Sequence, residues 1–259
     1  MDQHPQSIYE ESWVPGGEDL LRFYTRIYLA RNPLAALIFV HGFTEHISRA
    51  VSVALPLTHY GGANMLALEE LGGSLLLHLA TSSSLPSYVQ ESIGMLSGII
   101  ASSPFLAQTE PLAKSLRHIV AIASKALPAI LISTELPHSY LSRNRDVVAT
   151  LAKDPLVKQK SSMKFVTEML DAGEHLIQLE HPSVPCGLSV LVLHGTADRI
   201  TSFTASKQFF DCLDARDKTF VDIQDAYHEL VHEPYGVREE YMDRCIDWVL
   251  SRAASYHQH

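Results

Sequence analysis

Cysteine is scarce in this sequence, and the few cysteines present form no recognisable pattern. Three occur in the 259 residues, at Cys186, Cys212 and Cys245. Their spacing matches neither a zinc site nor a disulfide framework, so small domains held together by metal or disulfide bonds are excluded. Free thiols are typical of a reducing compartment, and we therefore predict a cytoplasmic protein without a metal site.

Massed positive charge and long apolar runs are also missing. The 20 lysines and arginines are scattered along a chain of net charge −9, so nucleic acid is not an expected partner. The N-terminal stretch MDQHPQSIYEE is polar and acidic, and we expect that it is not a signal peptide. The most apolar segment, 118–133, is interrupted by Lys125 and Pro128 and is too short to span a bilayer.

The strongest positive signal is the sequence SVLVLHGTAD at 189–198. Its apolar run is rich in β-branched residues and too short for a typical helix, which predicts a strand buried on both faces of a parallel sheet. The following turn places Asp198 at the carboxyl end of that strand, where ligands bind in open α/β sheets. Position alone favours a simpler interpretation, in which Asp198 supports a turn or caps the next helix.

The rest of the chain alternates between predicted strands and helices. We predict strands at 23–29, 35–40, 63–68, 97–102 and 219–224, and helices at 47–60, 203–213 and 237–251. This alternation indicates an α/β sandwich with a mostly parallel sheet. Between 105 and 182 the pattern changes to amphipathic stretches at 112–126, 145–152 and 162–170, with no convincing strand. We therefore predict a core of residues 1–104 and 183–259, with a helical cap inserted at 105–182.

Two turns after predicted strands are candidates for catalytic chemistry. The strand at 35–40 ends in HGFTEH at 41–46. A strand that stops at His-Gly can direct backbone N–H groups into the crevice, as an oxyanion hole requires, although an ordinary loop is the alternative. The strand at 63–68 leads into the apolar helix LLLHLA, and such a strand–turn–helix unit is where a nucleophile is expected.

His228 follows the last predicted strand, within DAYHELVHEP at 225–234. An aspartate at the end of one strand and a histidine after the next give the acid-then-base order of a hydrolytic triad. In such a pair the carboxylate accepts one ring N–H, and the other nitrogen can take a proton from a hydroxyl. A structural or surface histidine is the alternative for His228 alone. We expect His232 and Glu233 to be solvated residues at the start of a helix.

Five segments, in this order, resemble the monoacylglycerol lipase family of α/β-hydrolases, which is grouped with lysophospholipases and serine aminopeptidase-like hydrolases. They are HGFTEH (41–46), SGIIASSPF (97–105), DPLVKQK (154–160), LVLHGTADRITS (191–202) and YHELVHEP (227–234). The resemblance implies that Asp198 is the triad acid, that His228 is the base and that the backbone N–H of Phe43 forms half of the oxyanion hole. It implies hydrolysis of monoacylglycerol or lysophospholipid esters to a fatty acid and an alcohol, without a cofactor.

The resemblance also implies a role for the predicted cap. The cap would shape a hydrophobic channel for an acyl chain and make peripheral contact with a membrane or a lipid droplet. The apolar side chains suited to this role are Ile119, Val120, Ile122, Ile130 and Leu131. In the alternative interpretation these side chains only pack the cap's own core, because monomers seldom expose large apolar patches without a use.

The sequence departs from the family at the nucleophile. The family carries its serine in a G-x-S-x-G motif before an apolar helix, and this motif occurs nowhere in the chain. Alignment of the paired glycines places Glu70 at the serine position and makes the backbone N–H of Leu71 the second oxyanion donor. Ser74 is a weak substitute. We therefore predict that the segment carrying the nucleophile strand is missing. The alternatives to an active enzyme are an inactive truncated splice form or gene model, and a lipid-binding pseudo-hydrolase.

Overall fold

The computed structural model of the chain describes residues 9–16, 21–28, 36–40 and 64–256. The strands of this part are β1 (Tyr9–Gly16), β2 (Leu21–Tyr28), β3 (Ala36–Val40), β4 (Asn64–Glu69), β5 (Gly98–Ser102), β6 (Leu131–Ser133), β7 (Lys160–Ser162), β8 (Ser189–Gly195) and β9 (Lys218–Ile223). The helices are α1 (Glu70–Thr81), α2 (Ser87–Gly94), α3 (Lys114–Ala126), α4 (Arg145–Leu151), α5 (Met163–Gln178), α6 (Phe203–Cys212) and α7 (Val237–Tyr256). The predicted helix at 47–60 lies outside the described residues.

A five-stranded sheet in the order β3-β4-β5-β8-β9 forms the centre of the fold, and all of its neighbouring strands are parallel. The expected α/β fold with a mostly parallel sheet is thus confirmed. Every residue of β5 and of β8 is buried, as the apolar run at 189–195 predicts. Parallel strands need covering on both faces, and the helices between them supply this cover.

Two hydrophobic cores lie on opposite faces of the sheet because side chains alternate along a strand. On one face Ile100, Leu191 and Leu193 pack against α7 through residues such as Trp248. On the other face Ile99, Val190 and Val192 pack with residues of α1 and α6. The result is a three-layer sandwich whose parallel strands all present their carboxyl ends at one edge.

Strand β4 occupies the place at which the sequence departs from the family that it resembles. It pairs with β3 on one side and with β5 on the other, so the sheet has no gap between β3 and β9. Helix α1 begins at Glu70, directly after the last residue of β4. The paired strands satisfy one another's backbone groups, which a missing central strand would leave unsatisfied.

The N-terminal part of the described chain adds a hairpin. Strands β1 and β2 pair antiparallel, from Tyr9 opposite Tyr28 to Gly16 opposite Leu21, and form a two-stranded sheet of their own. The segment 23–29 predicts β2 to within two residues at its start. The sequence does not predict β1, which contains two glutamates and a proline.

The segment 105–182 consists mainly of helices, with two short strands among them. Helices α3 and α5 pack together, and α5 also packs against α1. Strands β6 and β7, of three residues each, pair antiparallel. The expectation that this segment contains no strand is therefore wrong at 131–133 and 160–162. None of the helices described by the structure is long and apolar enough to cross a membrane.

The contact of α5 with the core depends on Gly173. A Cβ at this position would collide with the backbone carbonyl of Leu106, whereas one at Gly94, at the end of α2, would meet nothing within 4 Å. Alanine is normally the better helix residue by about 1 kcal/mol. We expect Gly173→Ala to lower the free energy of unfolding by about 1–3 kcal/mol, as overpacking does. Gly94→Ala should leave it unchanged or raise it. Urea unfolding of both variants checks the prediction, and equal effects would contradict it.

Candidate active site

Asp198 lies just beyond the carboxyl end of β8, in the turn that leads to α6. Its side chain is completely buried. Ser202, rather than Asp198, caps the following helix, because the Ser202 hydroxyl accepts a hydrogen bond from the backbone N–H of Ala205. The helix-cap interpretation of Asp198 is therefore wrong, and the carboxylate is available for other partners.

The Asp198 carboxylate accepts hydrogen bonds from several sides. Its Oδ1 accepts from the backbone N–H groups of Ile200, at 2.7 Å, and Thr201, at 3.0 Å. Its Oδ2 accepts from the Thr201 hydroxyl at 2.8 Å and lies 2.8 Å from Nδ1 of His228. Nε2 of His194 lies 3.2 Å from the same oxygen. The carboxylate thus supports its own turn and also contacts two imidazole rings.

The pKa of Asp198 reflects this environment. Burial by itself raises the pKa, because it disfavours the charged form. The charge of His228 and the hydrogen bonds from His194 and His228 act in the opposite direction and together hold the pKa of Asp198 well below its usual range. Asp198 is therefore ionised at every physiological pH, as the acid member of a catalytic pair must be.

His228 is brought to Asp198 by the loop that follows β9. This loop passes so close to the end of β8 that a Cβ on Gly195 would collide with the carbonyl groups of Ala226 and Tyr227. Ser103, directly after β5, donates its hydroxyl proton to the carbonyl of His228 at 2.8 Å and has a φ of 44°. Such a left-handed conformation is uncommon for serine and is typical of functional sites.

The segment 141–144, within the predicted cap, is attached to the turn that follows His228. The Leu141 carbonyl accepts from the backbone N–H of Glu229 at 2.8 Å, and the Ser142 hydroxyl donates to the carbonyl of His232 at 2.7 Å. The fully buried Glu233 side chain accepts from the backbone N–H of Arg143 at 2.8 Å and from its Nε at 2.6 Å. The expectation of a solvated Glu233 is therefore wrong, because Arg143 compensates its charge.

His232 is also less exposed than the sequence analysis expects. Its Nδ1 lies 2.9 Å from a carboxylate oxygen of Glu229, and both side chains are largely buried. The expectation of a solvated His232 is wrong for the same kind of reason, since a nearby carboxylate replaces water as its partner.

The predicted nucleophile region is only partly described. Phe43 lies outside the described residues, and of Glu70 the structure describes the backbone as the first residue of α1. The backbone N–H of Leu71 belongs to the first turn of α1, whose N–H groups have no acceptor within the helix, so its oxyanion role stays a prediction. Ser74 is buried in the same helix, and its hydroxyl donates to the carbonyl of Phe105 at 2.5 Å.

The predicted channel residues lie on or beside α3. Ile119, Ile122, Ile130 and Leu131 are exposed, by 62%, 58%, 45% and 65%, and Val120 is half-buried. Leu116 and Leu127 extend the same apolar surface, with exposures of 46% and 51%. Their role in a channel stays a prediction.

Three residues that were not predicted from the sequence touch the pair: His194, Thr201 and Ser103. All three are buried. His194 and Thr201 belong to the same LVLHGTADRITS segment as Asp198. Their closeness to Asp198 along the chain could have identified them as its neighbours. Ser103 carries no comparable signal, because its contact with His228 spans 125 residues.

The ionised Asp198 should make stability depend on pH. Its folded pKa lies below the value of about 3.9 for an unfolded aspartate, so its contribution is present above that pH and is lost as pH falls below about 4. We expect wild-type protein to lose up to about 1.4 kcal/mol per pH unit more than Asp198→Asn in this range. Urea unfolding at several pH values measures this difference. Asp243→Asn, at an exposed position, should keep the wild-type dependence of the unfolding free energy on pH. The same dependence in Asp198→Asn and in wild type would refute the prediction.

Comparison with known proteins identifies the family. The sequence profile of the family described as serine aminopeptidase, S33, matches residues 83–235, which include Asp198 and His228. A putative monoglyceride lipase of Schizosaccharomyces pombe is 30% identical over 206 residues, or 78% of this chain and 50% of that protein. A monoglyceride lipase of Mus musculus is 26% identical over 72% of this chain and 58% of its own length. The chain spans about half the length of the curated relatives it matches.

Solved structures share the fold. A monoacylglycerol lipase of Paleococcus ferrophilus superposes with a TM-score of 0.72 and 24% identity, over 83% of this chain and 94% of that one. A soluble variant of the monoglyceride lipase of Saccharomyces cerevisiae superposes with a TM-score of 0.79 and 16% identity, over 95% and 97%. The profile match covers more than half of the chain and agrees with the parallel sheet and the buried Asp–His pair. The chain therefore belongs to the serine aminopeptidase S33 family of α/β-hydrolases, and its relatives include monoglyceride lipases.

Proposed function

We propose that the protein acts on carboxylic esters of the monoacylglycerol or lysophospholipid type, with Asp198 as the acid and His228 as the base. The observation that carries the proposal is the buried 2.8 Å contact between Oδ2 of Asp198 and Nδ1 of His228 at the carboxyl ends of adjacent strands. A proton on Nδ1 is then held by the carboxylate, and Nε2 can accept a proton from an attacking group. The names of the S. pombe and mouse relatives point to the same class of substrate.

The attacking group is where this chain differs from a serine hydrolase. It has no G-x-S-x-G motif, and the Ser74 hydroxyl is engaged with the Phe105 carbonyl inside α1. We propose that His228 takes a proton from a water molecule that attacks the ester carbonyl, and that it returns this proton to the departing alcohol. Such a site lacks covalent catalysis, and a positioned general base by itself contributes about 10²–10⁴-fold.

A lipid-binding pseudo-hydrolase is the second candidate, and a specific observation favours it. The strand β4 passes directly into α1 without a serine at the junction, although the sheet around it is intact. A protein of this kind would retain a site for the acyl chain without ester turnover.

The two candidates are distinguished by assaying the purified chain on a short-chain monoacylglycerol. We expect slow turnover that falls about 100-fold or more in His228→Gln, the factor typical of a lost general base. The exposed His181→Gln should behave as wild type. No serine should react with a fluorophosphonate probe, and a labelled Ser74 would refute attack by water. Saturable binding of a fluorescent fatty acid without turnover would establish the second candidate, and the absence of both would contradict both.

We also propose that α3 rests on an anionic lipid surface. Its sequence, KSLRHIVAIASKA, contains basic residues and no acidic one, in a protein of net charge −9. Exposed apolar side chains at Leu116, Ile119 and Ile122 lie between the exposed Lys114 and Lys125. The charge of Arg117, by contrast, is compensated by Asp171 of α5. A helix with these two properties is typical of proteins that bind in the interface of anionic membranes. The exposure of the apolar side chains favours this role over packing in the cap's own core.

Vesicle binding tests this surface. We expect Ile119→Glu to weaken binding to vesicles of phosphatidylcholine with phosphatidylserine about tenfold, because burial of one isoleucine contributes about 1.5–3 kcal/mol. Met95→Glu is the matched control, since Met95, directly after α2, is 70% exposed and lies outside the proposed surface. Sedimentation with sucrose-loaded vesicles measures both variants. Equal losses in the two variants, or none in Ile119→Glu, would disprove the proposal.

A further inference from the structure

His194 places a second imidazole against the carboxylate that holds His228. It is the sixth residue of β8 and is completely buried. Its Nε2 lies 3.2 Å from Oδ2 of Asp198, 3.2 Å from the carbonyl oxygen of Thr201 and 3.3 Å from the Thr201 hydroxyl oxygen. Two of these three neighbours, a carboxylate and a carbonyl oxygen, can only accept hydrogen bonds.

The surroundings of the ring determine which nitrogen carries the proton. Nδ1 of His194 is buried and has no hydrogen-bond partner in the part of the chain that the structure describes. The edge-to-face contact of the ring with Phe203, at 5.8 Å between centroids, adds an apolar neighbour. A proton on Nε2 satisfies the acceptors, and a proton on Nδ1 would leave a ring lone pair directed at a carboxylate. The contacts therefore assign the tautomer with Nε2–H.

The Thr201 hydroxyl links the two rings. It lies 2.8 Å from Oδ2 of Asp198, 3.2 Å from Nδ1 of His228 and 3.2 Å from the carbonyl of Ser103. Oδ2 is therefore shared by His228, His194 and Thr201, whereas Oδ1 is held by the backbone of the turn. The carboxylate is therefore held by the backbone on the Oδ1 side and by side chains on the Oδ2 side, and the side chains can be substituted one at a time.

We propose that His194 is a positioning residue, which holds the Asp198 carboxylate so that Oδ2 faces Nδ1 of His228. Its action passes through Asp198 and involves no contact with the substrate. Loss of the hydrogen-bond donor of His194 leaves the carboxylate freer to rotate about its Cβ–Cγ bond. The hydrogen bond between Asp198 and His228 is then weaker. The inference concerns the Asp–His pair itself and does not depend on whether the protein turns over an ester.

NMR on the full chain with ¹⁵N-labelled histidine tests the tautomer without any substitution. We expect the resonances of His194 to show a protonated Nε2 and a bare Nδ1, with His194→Gln used to assign them. The opposite tautomer would overturn the proposal.

The proton on Nδ1 of His228 reports the positioning effect. His194→Phe keeps the ring and its contact with Phe203 but removes the donor, and it should speed exchange of this proton with water about tenfold or more, the factor for one hydrogen bond to a charged group. His194→Gln retains an N–H near the position of Nε2 and should restore slow exchange. The exposed His181→Phe should have no effect.

The two substitutions separate positioning from packing. Unchanged exchange in a folded His194→Phe would overturn the proposal, because the backbone donors would then suffice to hold the carboxylate. Equally faster exchange of the His228 proton in His194→Phe and His194→Gln would overturn it as well. The effect would then come from the shape of the side chain at position 194 and not from its hydrogen-bond donor. If His194→Phe does not fold, His194→Asn, whose amide is too short to reach Oδ2, takes its place with the same expected result. Exchange is measured without substrate, so its outcome is independent of the ester assay.

Discussion

The Asp198 carboxylate carries its charge in a place that water does not reach, and the chain around it supplies the hydrogen-bond donors that water would otherwise provide. Burial of an unpaired charge costs several kcal/mol, and the donors around the carboxylate offset this cost. The donors come from the turn after β8, from His194 within β8 and from His228 after β9. Ser103 attaches the end of β5 to the same cluster. One negative charge thus ties together the carboxyl ends of three strands.

The sequence is a good guide to this region where the signal is local. The apolar run before Asp198 predicts a buried strand because a strand covered on both faces favours apolar residues, and β8 is buried throughout. The order of strand ends also predicts that Asp198 and His228 meet, because parallel strands open at one edge. The exact partners of the carboxylate are harder to predict, since His194 and Thr201 belong to the same segment but acquire their contacts only when the chain closes around them.

Interactions between distant segments explain what the sequence could not predict. The burial of Glu233 depends on Arg143, which is 90 residues away along the chain. No sequence pattern near Glu233 predicts that partner. Strands β6 and β7 are three residues long and exist only as a pair. Strand β1 contains polar residues and a proline, and its pairing with β2 determines its conformation. The junction of β4 and α1 is a similar case, because the continuity of the sheet there depends on strands from elsewhere in the chain.

The attachment of the segment 141–144 to the turn after His228 limits how far these two parts of the chain can move apart. The Arg143 guanidinium and the Glu233 carboxylate meet where the carboxylate is fully buried. Separation of the two segments would leave that carboxylate without its counter-charge, and this is strongly unfavourable. The segment 141–144 and the turn after His228 are therefore coupled, and a displacement of one has to carry the other with it.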